Sequence, residues 1–157
     1  MSIVLEPIGH VSGSRAEAID DNWGESLADI VLDARFPEEA LLGIEEFSHV
    51  EVLFHFHQVP DEKIVYEARH PRGNKEWPLT GIFAQRGKNR PNRIGSTICR
   101  VVGRQGRTLR VAELDAIDGT PVLDIKPVMR EFLPRTEVRQ PEWASALMAQ
   151  YWEAGQE

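Results

Sequence analysis

The stretch "IGSTICRVVGRQGRTLRVAELDAIDGTPVLDIKP", residues 94–127, decides the fold class. It holds three runs rich in apolar and β-branched residues: Ile94–Val102, Thr108–Leu114 and Pro121–Pro127. The connections "GRQGR" and "DAIDGT" place Gly and Asp where tight turns need them. Strands joined by turns this short pair antiparallel.

Upstream, "SHVEVLFHFHQV" (48–59) gives the clearest alternation in the chain. Val50, Val52, Phe54 and Phe56 fall on one face, while Glu51, Leu53, His55 and His57 fall on the other. "ADIVLD" (28–33) reads as another strand, and "SIVLEPIGHV" (2–11) as a first strand interrupted by Pro7. "PEEALLGIEEF" (37–47) reads as a short helix or turn ended at Gly43. Ile64–Ala68 and Gly81–Ala84 complete the strand-like segments. The tail "QPEWASALMAQYWEAG" (140–155) reads as helical, with Pro141 in its first turn and Gly155 at its end. On that helix Trp143, Leu147 and Tyr151 would stack at i, i+4 and i+8.

Six or seven strands, mostly linked by short turns, predict a mainly β, single-domain antiparallel barrel with a short C-terminal helix. The barrel is expected over residues 1–135. Residues 136–157 are expected to form a helix packed on the barrel or on a partner subunit. No strand-helix alternation and no Gly-rich strand-to-helix turn occurs, which excludes a Rossmann reading.

The bulk numbers fit one soluble domain: 157 residues, 41% hydrophobic and 27% charged. A net charge of −7 argues against binding nucleic acid or membranes through overall charge. The opening "MSIVLEPIGH" lacks a basic region followed by a long apolar run, and no stretch is long and apolar enough to span a membrane. A cytoplasmic protein is expected. Cys99, the single cysteine, has no partner for an internal disulfide and reads as a small buried hydrophobe between Ile98 and Val101.

Against that acidic background, Arg86, Lys88, Arg90 and Arg93 crowd into eight positions. Asn89, Pro91 and Asn92 among them favour a fixed turn over a floppy one. A rigid loop carrying arginine forks suits an anionic ligand or a carboxylate. His55 and His57, with Glu51 nearby, invite a metal reading. No further ligand follows at a recognisable spacing, so the polar lining of a cleft is the simpler assignment and no metal is expected. Asp115, Asp118 and Asp124 bracket a Gly-Thr-Pro turn, with Lys126 on the Asp124 face. On spacing alone this is a hairpin with Asx chemistry and a surface ion pair; its functional reading is a backbone slot for a planar heterocycle with an acid–base carboxylate. Nucleophilic triad chemistry finds no support, for no G-x-S-x-G elbow is present.

Three segments taken together, "GIEEFSHVEVLFHFHQ" (43–58), "GIFAQRGKNRPNRIGSTI" (81–98) and "LDAIDGTPVLDIKP" (114–127), resemble the signature blocks of the TsaA-like family, also called the tRNA methyltransferase O family. The likeness covers roughly residues 3 to 130. It implies a non-Rossmann β-barrel methyltransferase using S-adenosylmethionine (SAM), working as a homodimer with the cofactor near the subunit interface. The substrate implied is N6-threonylcarbamoyladenosine in the anticodon loop of tRNA.

The resemblance assigns His57 and Gln58, Arg86, Ser96, and the run Glu113, Leu114 and Asp115 to the cofactor site, with Trp23 beside them. Lys88, Arg90 and Arg93 are then expected at tRNA phosphates. Asp118, Asp124 and Lys126 are the acid–base candidates. Bacterial members often carry a further domain after the barrel, where one helix is expected here. A non-catalytic SAM- or nucleotide-binding protein, or a methyltransferase of a small molecule or another RNA, is the alternative.

Overall fold

The computed structural model describes residues 1–155. Eight strands follow in chain order: β1 (Gly9–Ser12), β2 (Leu27–Leu32), β3 (His49–His55), β4 (Ala68–Arg69), β5 (Thr80–Gly81), β6 (Ile94–Gln105), β7 (Thr108–Ala112) and β8 (Pro121–Pro127). Six of them close into a barrel in the order β1-β2-β7-β6-β3-β8, with every neighbouring pair antiparallel. The remaining two, β4 and β5, pair as a short ribbon outside it.

Alternation builds the core as the sequence requires. Val50, Val52 and Phe54 of β3 are buried, as are Val11, Ile30, Leu109, Val111 and Val122 from the other strands. Each such side chain contributes about 1.5–3 kcal/mol on burial. From β6, Gly95, Thr97 and Cys99 turn inward, while Ile94, Ser96 and Ile98 turn outward. Burial, reinforced by the charge of Asp115, pushes the Cys99 thiol up to about 12, so it sits as a neutral core group. Gln105 pairs with Thr108 across a two-residue turn, and Gly106 supplies the positive φ of 59° that its first position demands.

Several expected elements are shorter than their composition implies. Strand β1 begins only at Gly9, although the pairing starts with the Ile8 amide on the Val122 carbonyl. Pro7 has no amide to extend that ladder, and Ile3 to Leu5 remain exposed. Gly81–Ala84 is not a buried strand: after Gly81 the chain enters a 3₁₀ turn, burying Ile82 and leaving Phe83 75% exposed. The strand expected at Ile64–Ala68 reduces to Ala68–Arg69, and Leu114 lies beyond the end of β7. The 37–47 segment is two 3₁₀ turns on either side of Gly43, whose φ is 87°.

The C-terminal helix α1 spans only Glu142–Leu147. It does not continue to Gly155, so Tyr151 does not stack above Trp143 and Leu147. Beyond it the backbone unwinds because a stronger set of partners is available. The amides of Asn22, Trp23 and Gly24 donate to the carbonyls of Gln150 (3.1 Å), Tyr151 (2.7 Å) and Glu153 (3.1 Å), and Gly24 bridges to Ala154. A Cβ on Gly24 would lie 2.0 Å from the Trp152 carbonyl oxygen, so only glycine admits this strap. Residues 156 and 157 of the expected C-terminal element lie outside those described. Among the described residues no helix is long and apolar enough to cross a membrane.

Candidate functional site

Two sets of hydrogen bonds, joined by the Ser96–Thr97 backbone of β6, link Arg86 to the C-terminal strap. Arg86 donates from Nη2 to the Ser96 carbonyl at 2.5 Å. The next residue, Thr97, points inward and donates its hydroxyl to Asp115 Oδ1. Tyr151 donates its hydroxyl to the other carboxylate oxygen of Asp115. Burial first, then the charge and hydrogen bond of Asp115, push the Tyr151 hydroxyl well above its ordinary range, with Arg86 opposing. Tyr151 is therefore a neutral donor to an acceptor carboxylate.

The segment after β7 presents Glu113, Leu114 and Asp115 as one unit. Glu113 takes a left-handed φ of 67°, its amide donates to the Ser26 carbonyl (2.8 Å), and its carboxylate accepts from the Glu25 amide (3.3 Å). Leu114 is buried between them. Asp118 closes the turn by accepting from the Gly13 amide at 2.9 Å, while its own amide donates to the Arg15 carbonyl. Arg15 in turn lies 3.8 Å over the Trp23 ring and donates to the Asp21 and Asn22 carbonyls. Trp23 is thus buried beneath a cation and tied by its amide to Tyr151.

On the outer face, β3 sits between β6 and β8. Leu53 is in register with Ser96 on one side and Asp124 on the other; Glu51 faces Ile98 and Lys126. Ser96 donates its hydroxyl to Glu51 at 2.8 Å, and Lys126 pairs with Asp124 at 3.0 Å. That exposed pair contributes little to stability. Its place on this face is what matters, because it shares the surface with Ser96.

The structure therefore brings Arg86, Ser96, Glu113, Leu114, Asp115 and Trp23 into one connected cluster. His57 and Gln58 lie exposed beyond the end of β3, and among the described residues no hydrogen bond joins them to it. His55, nearby, is lowered in pKa by burial, by Arg93 and by His57. Among the described residues no group of three or more His, Cys, Asp or Glu side chains is placed to hold a metal ion.

Within the basic loop, Arg90 donates to the Gln85 carbonyl (2.7 Å). Arg93 donates to the Val59 carbonyl (2.7 Å) and pairs with Asp61 (2.9 Å). These two arginines fasten the loop. Sequence reasoning missed Thr97, Arg15 and Tyr151. Thr97 follows a named residue and was readable as its inward neighbour, whereas Tyr151 reaches Asp115 only because the helix stops early.

The tRNA-methyltransferase O N-terminal domain family matches residues 20–132. The chain is 44% identical over 106 residues to a probable S-adenosyl-L-methionine-binding protein of Pyrococcus abyssi, covering 66% of this chain and 55% of that one. It is 41% identical over 96 residues to a mouse tRNA (adenine(37)-N6)-methyltransferase, covering 61% of this chain and 22% of the relative. The chain thus spans about half the length of the first of these relatives and less of the second. A crystal structure of TrmO from Pseudomonas aeruginosa superposes with a TM-score of 0.70 at 32% identity, over 88% of this chain and 62% of that one. With the family match extending over most of the barrel, the chain belongs to the tRNA-methyltransferase O N-terminal domain family.

Proposed function

We propose that this chain is a SAM-dependent methyltransferase acting on tRNA, with N6-threonylcarbamoyladenosine of the anticodon loop as the acceptor. The observation that carries the site is the Arg86–Ser96–Thr97–Asp115–Tyr151 chain, which holds a guanidinium and a carboxylate in fixed relation beside a backbone-lined turn.

These residues fit SAM. Arg86 is exposed and uses Nη2 on Ser96, leaving further donors for the cofactor's carboxylate. The left-handed turn at Glu113, anchored by the buried Leu114 and followed by Asp115, is the segment we assign to the adenosine. Trp23 and Ser96 border that place, and we keep His57 and Gln58 as candidates at the outer end of β3. When bound, SAM supplies a methyl group on a sulfonium. The protein's part is to align acceptor and donor and to remove one proton from the acceptor nitrogen.

Asp118, Asp124 and Lys126 are the proposed acid–base groups. Asp118 and Asp124 each accept one backbone amide, from Gly13 and Ile125, but Asp124 with Lys126 lies on the Ser96 face and is the pair we favour. We further propose a cytoplasmic homodimer with the cofactor near its interface, the C-terminal strap completing the barrel domain. The outward Ile94, Ile98 and Val102 of β6 support a dimer, Ile98 being 47% exposed. Light scattering on the purified protein should give twice the monomer mass, and a monomer at tens of micromolar would remove this part.

The name of the Pyrococcus relative favours one second reading, a protein that binds SAM without transferring its methyl group. Radiolabelled SAM with unfractionated tRNA separates the two. Label in RNA, lost on Asp124→Asn, is expected for the enzyme; SAM binding with no label in any RNA supports the second reading.

A further inference from the structure

Arg69 is held in an unusual way. Its carbonyl accepts from the Gln85 side-chain amide at 3.1 Å, and that same buried amide donates to Thr80 at 2.7 Å, locking the β4–β5 ribbon against the basic loop. The guanidinium lies directly on the loop backbone: a Cβ on Gly87 would be 2.7 Å from Arg69 Nη2. Its Nε is buried with no hydrogen-bond partner. Three other partly buried arginines meet carboxylates, Arg72 with Asp21, Arg93 with Asp61 and Arg104 with Glu45, each at 2.9 Å, while Arg15 and Arg90 donate to backbone carbonyls. Among the described residues, neither Arg69 nor the adjacent Lys88 has such a partner within 4.0 Å.

A cation taken partly out of water and left without a counter-charge is unfavourable, and it becomes favourable once an anion joins it. Arg90 and Arg93 each spend Nη1 in fastening the loop, which rigidifies the platform on which Arg69 and Lys88 sit. We infer that Arg69, whose guanidinium packs on Gly87, and Lys88, the next residue of that loop, form the contact for a phosphodiester of the RNA backbone. This assignment rests on the tRNA reading above. It brings to the phosphate contact Arg69, a residue of the ribbon that composition does not single out. A guanidinium and an ammonium suit a phosphate, which accepts hydrogen bonds from the one and meets a point charge on the other.

The test is fluorescence anisotropy with a labelled anticodon stem–loop RNA over a salt series, run beside SAM calorimetry on the same full chain. Arg69→Gln and Lys88→Gln should each weaken RNA binding about fivefold to tenfold and lower the slope of log affinity against log salt by about 0.7–0.9. SAM affinity should stay unchanged. Arg69→Lys should keep the slope while losing part of the affinity, and it carries the test together with Lys88→Gln if Arg69→Gln fails to fold. Arg90→Gln and Arg93→Gln should instead lower the melting temperature.

Wild-type RNA binding that neither Arg69→Gln nor Lys88→Gln alters overturns this inference and leaves the tRNA reading standing. Wild-type protein that binds SAM but no RNA at low salt overturns both. Loss of SAM affinity in Arg69→Gln places the residue in the cofactor site and overturns the phosphate assignment. Full displacement of the RNA by millimolar inorganic phosphate, with the total ionic strength held fixed, would mark a site for free phosphate and also overturn it.

Discussion

Tyr151 and Asp115 show how one contact ties the tail to the site. The Asp115 carboxylate accepts from Thr97 on one oxygen and from Tyr151 on the other, and the phenol is held neutral by burial. Removing that hydroxyl in Tyr151→Phe leaves a carboxylate oxygen short of a donor, at a cost of about 1–3 kcal/mol. Chemical denaturation should show a loss in that range, and an unchanged midpoint would mean the contact is not formed in solution. Alkaline titration gives a second reading of the same residue. A phenol and a thiol whose folded pKa values are raised keep full stability below their unfolded values and lose it as pH climbs. For Cys99 the window runs from its ordinary value of about 9 up to about 12, and for Tyr151 it opens near pH 10. The melting temperature of the wild type should therefore fall as pH rises past about 9, and Tyr151→Phe should flatten the part above about 10. A wild-type melting temperature that holds flat from pH 9 to 12 would contradict this. Gly95 is governed by packing instead. A Cβ there would sit 2.5 Å from the Phe54 ring, itself edge-on to Phe56 at 5.4 Å between centroids. Gly95→Ala should destabilise by about 1–3 kcal/mol through overpacking, read by the same denaturation.

At the scale of elements, what could be read depended on whether the deciding partner was local. The β3 alternation and the turns around Gly106 and Gly119 are local, and Val50, Val52 and Phe54 lie inward as their spacing requires. The β8 run at Pro121–Pro127 matches to the residue. The C-terminal tail follows other rules. Its i, i+4 pattern favours helix, yet three amides from residues 22–24 capture the carbonyls of 150, 151 and 153 and end the helix at Leu147. Nothing near residue 150 in sequence announces amide donors more than a hundred positions away. In the candidate site the same division holds: the family resemblance names Arg86, Ser96 and Asp115, while their junction through Thr97 and Tyr151 is long-range. Gly24→Ala tests the strap as an element. Its Cβ would collide with the Trp152 carbonyl at 2.0 Å, so residues 148–155 should become open to limited proteolysis while the barrel stays protected. Unchanged cleavage kinetics would show that the strap does not depend on this close approach.

For the molecule as a whole, a net charge of −7 and a cluster of cations on one loop are compatible because they act at different ranges. The overall charge discourages indiscriminate binding of polyanions, whereas a fixed basic platform next to a polar cluster sets the local field a ligand meets. The closed barrel supplies the rigidity. Strands β3, β6 and β8 hold Ser96, Glu51, Asp124 and Lys126 on one outer face, and the segment after β7 brings Asp115 to the inner side of the same wall. The methyltransferase reading depends on that wall binding SAM. The most direct measurement is calorimetric titration of the wild type and of Arg86→Ala with SAM and with S-adenosylhomocysteine, with melting curves to confirm that both proteins are folded. The account expects micromolar binding of both ligands by the wild type, and SAM binding weakened by about tenfold or more in Arg86→Ala, the loss fitting one charge-assisted hydrogen bond. No binding by the wild type, or equal affinity in a folded Arg86→Ala, would contradict it.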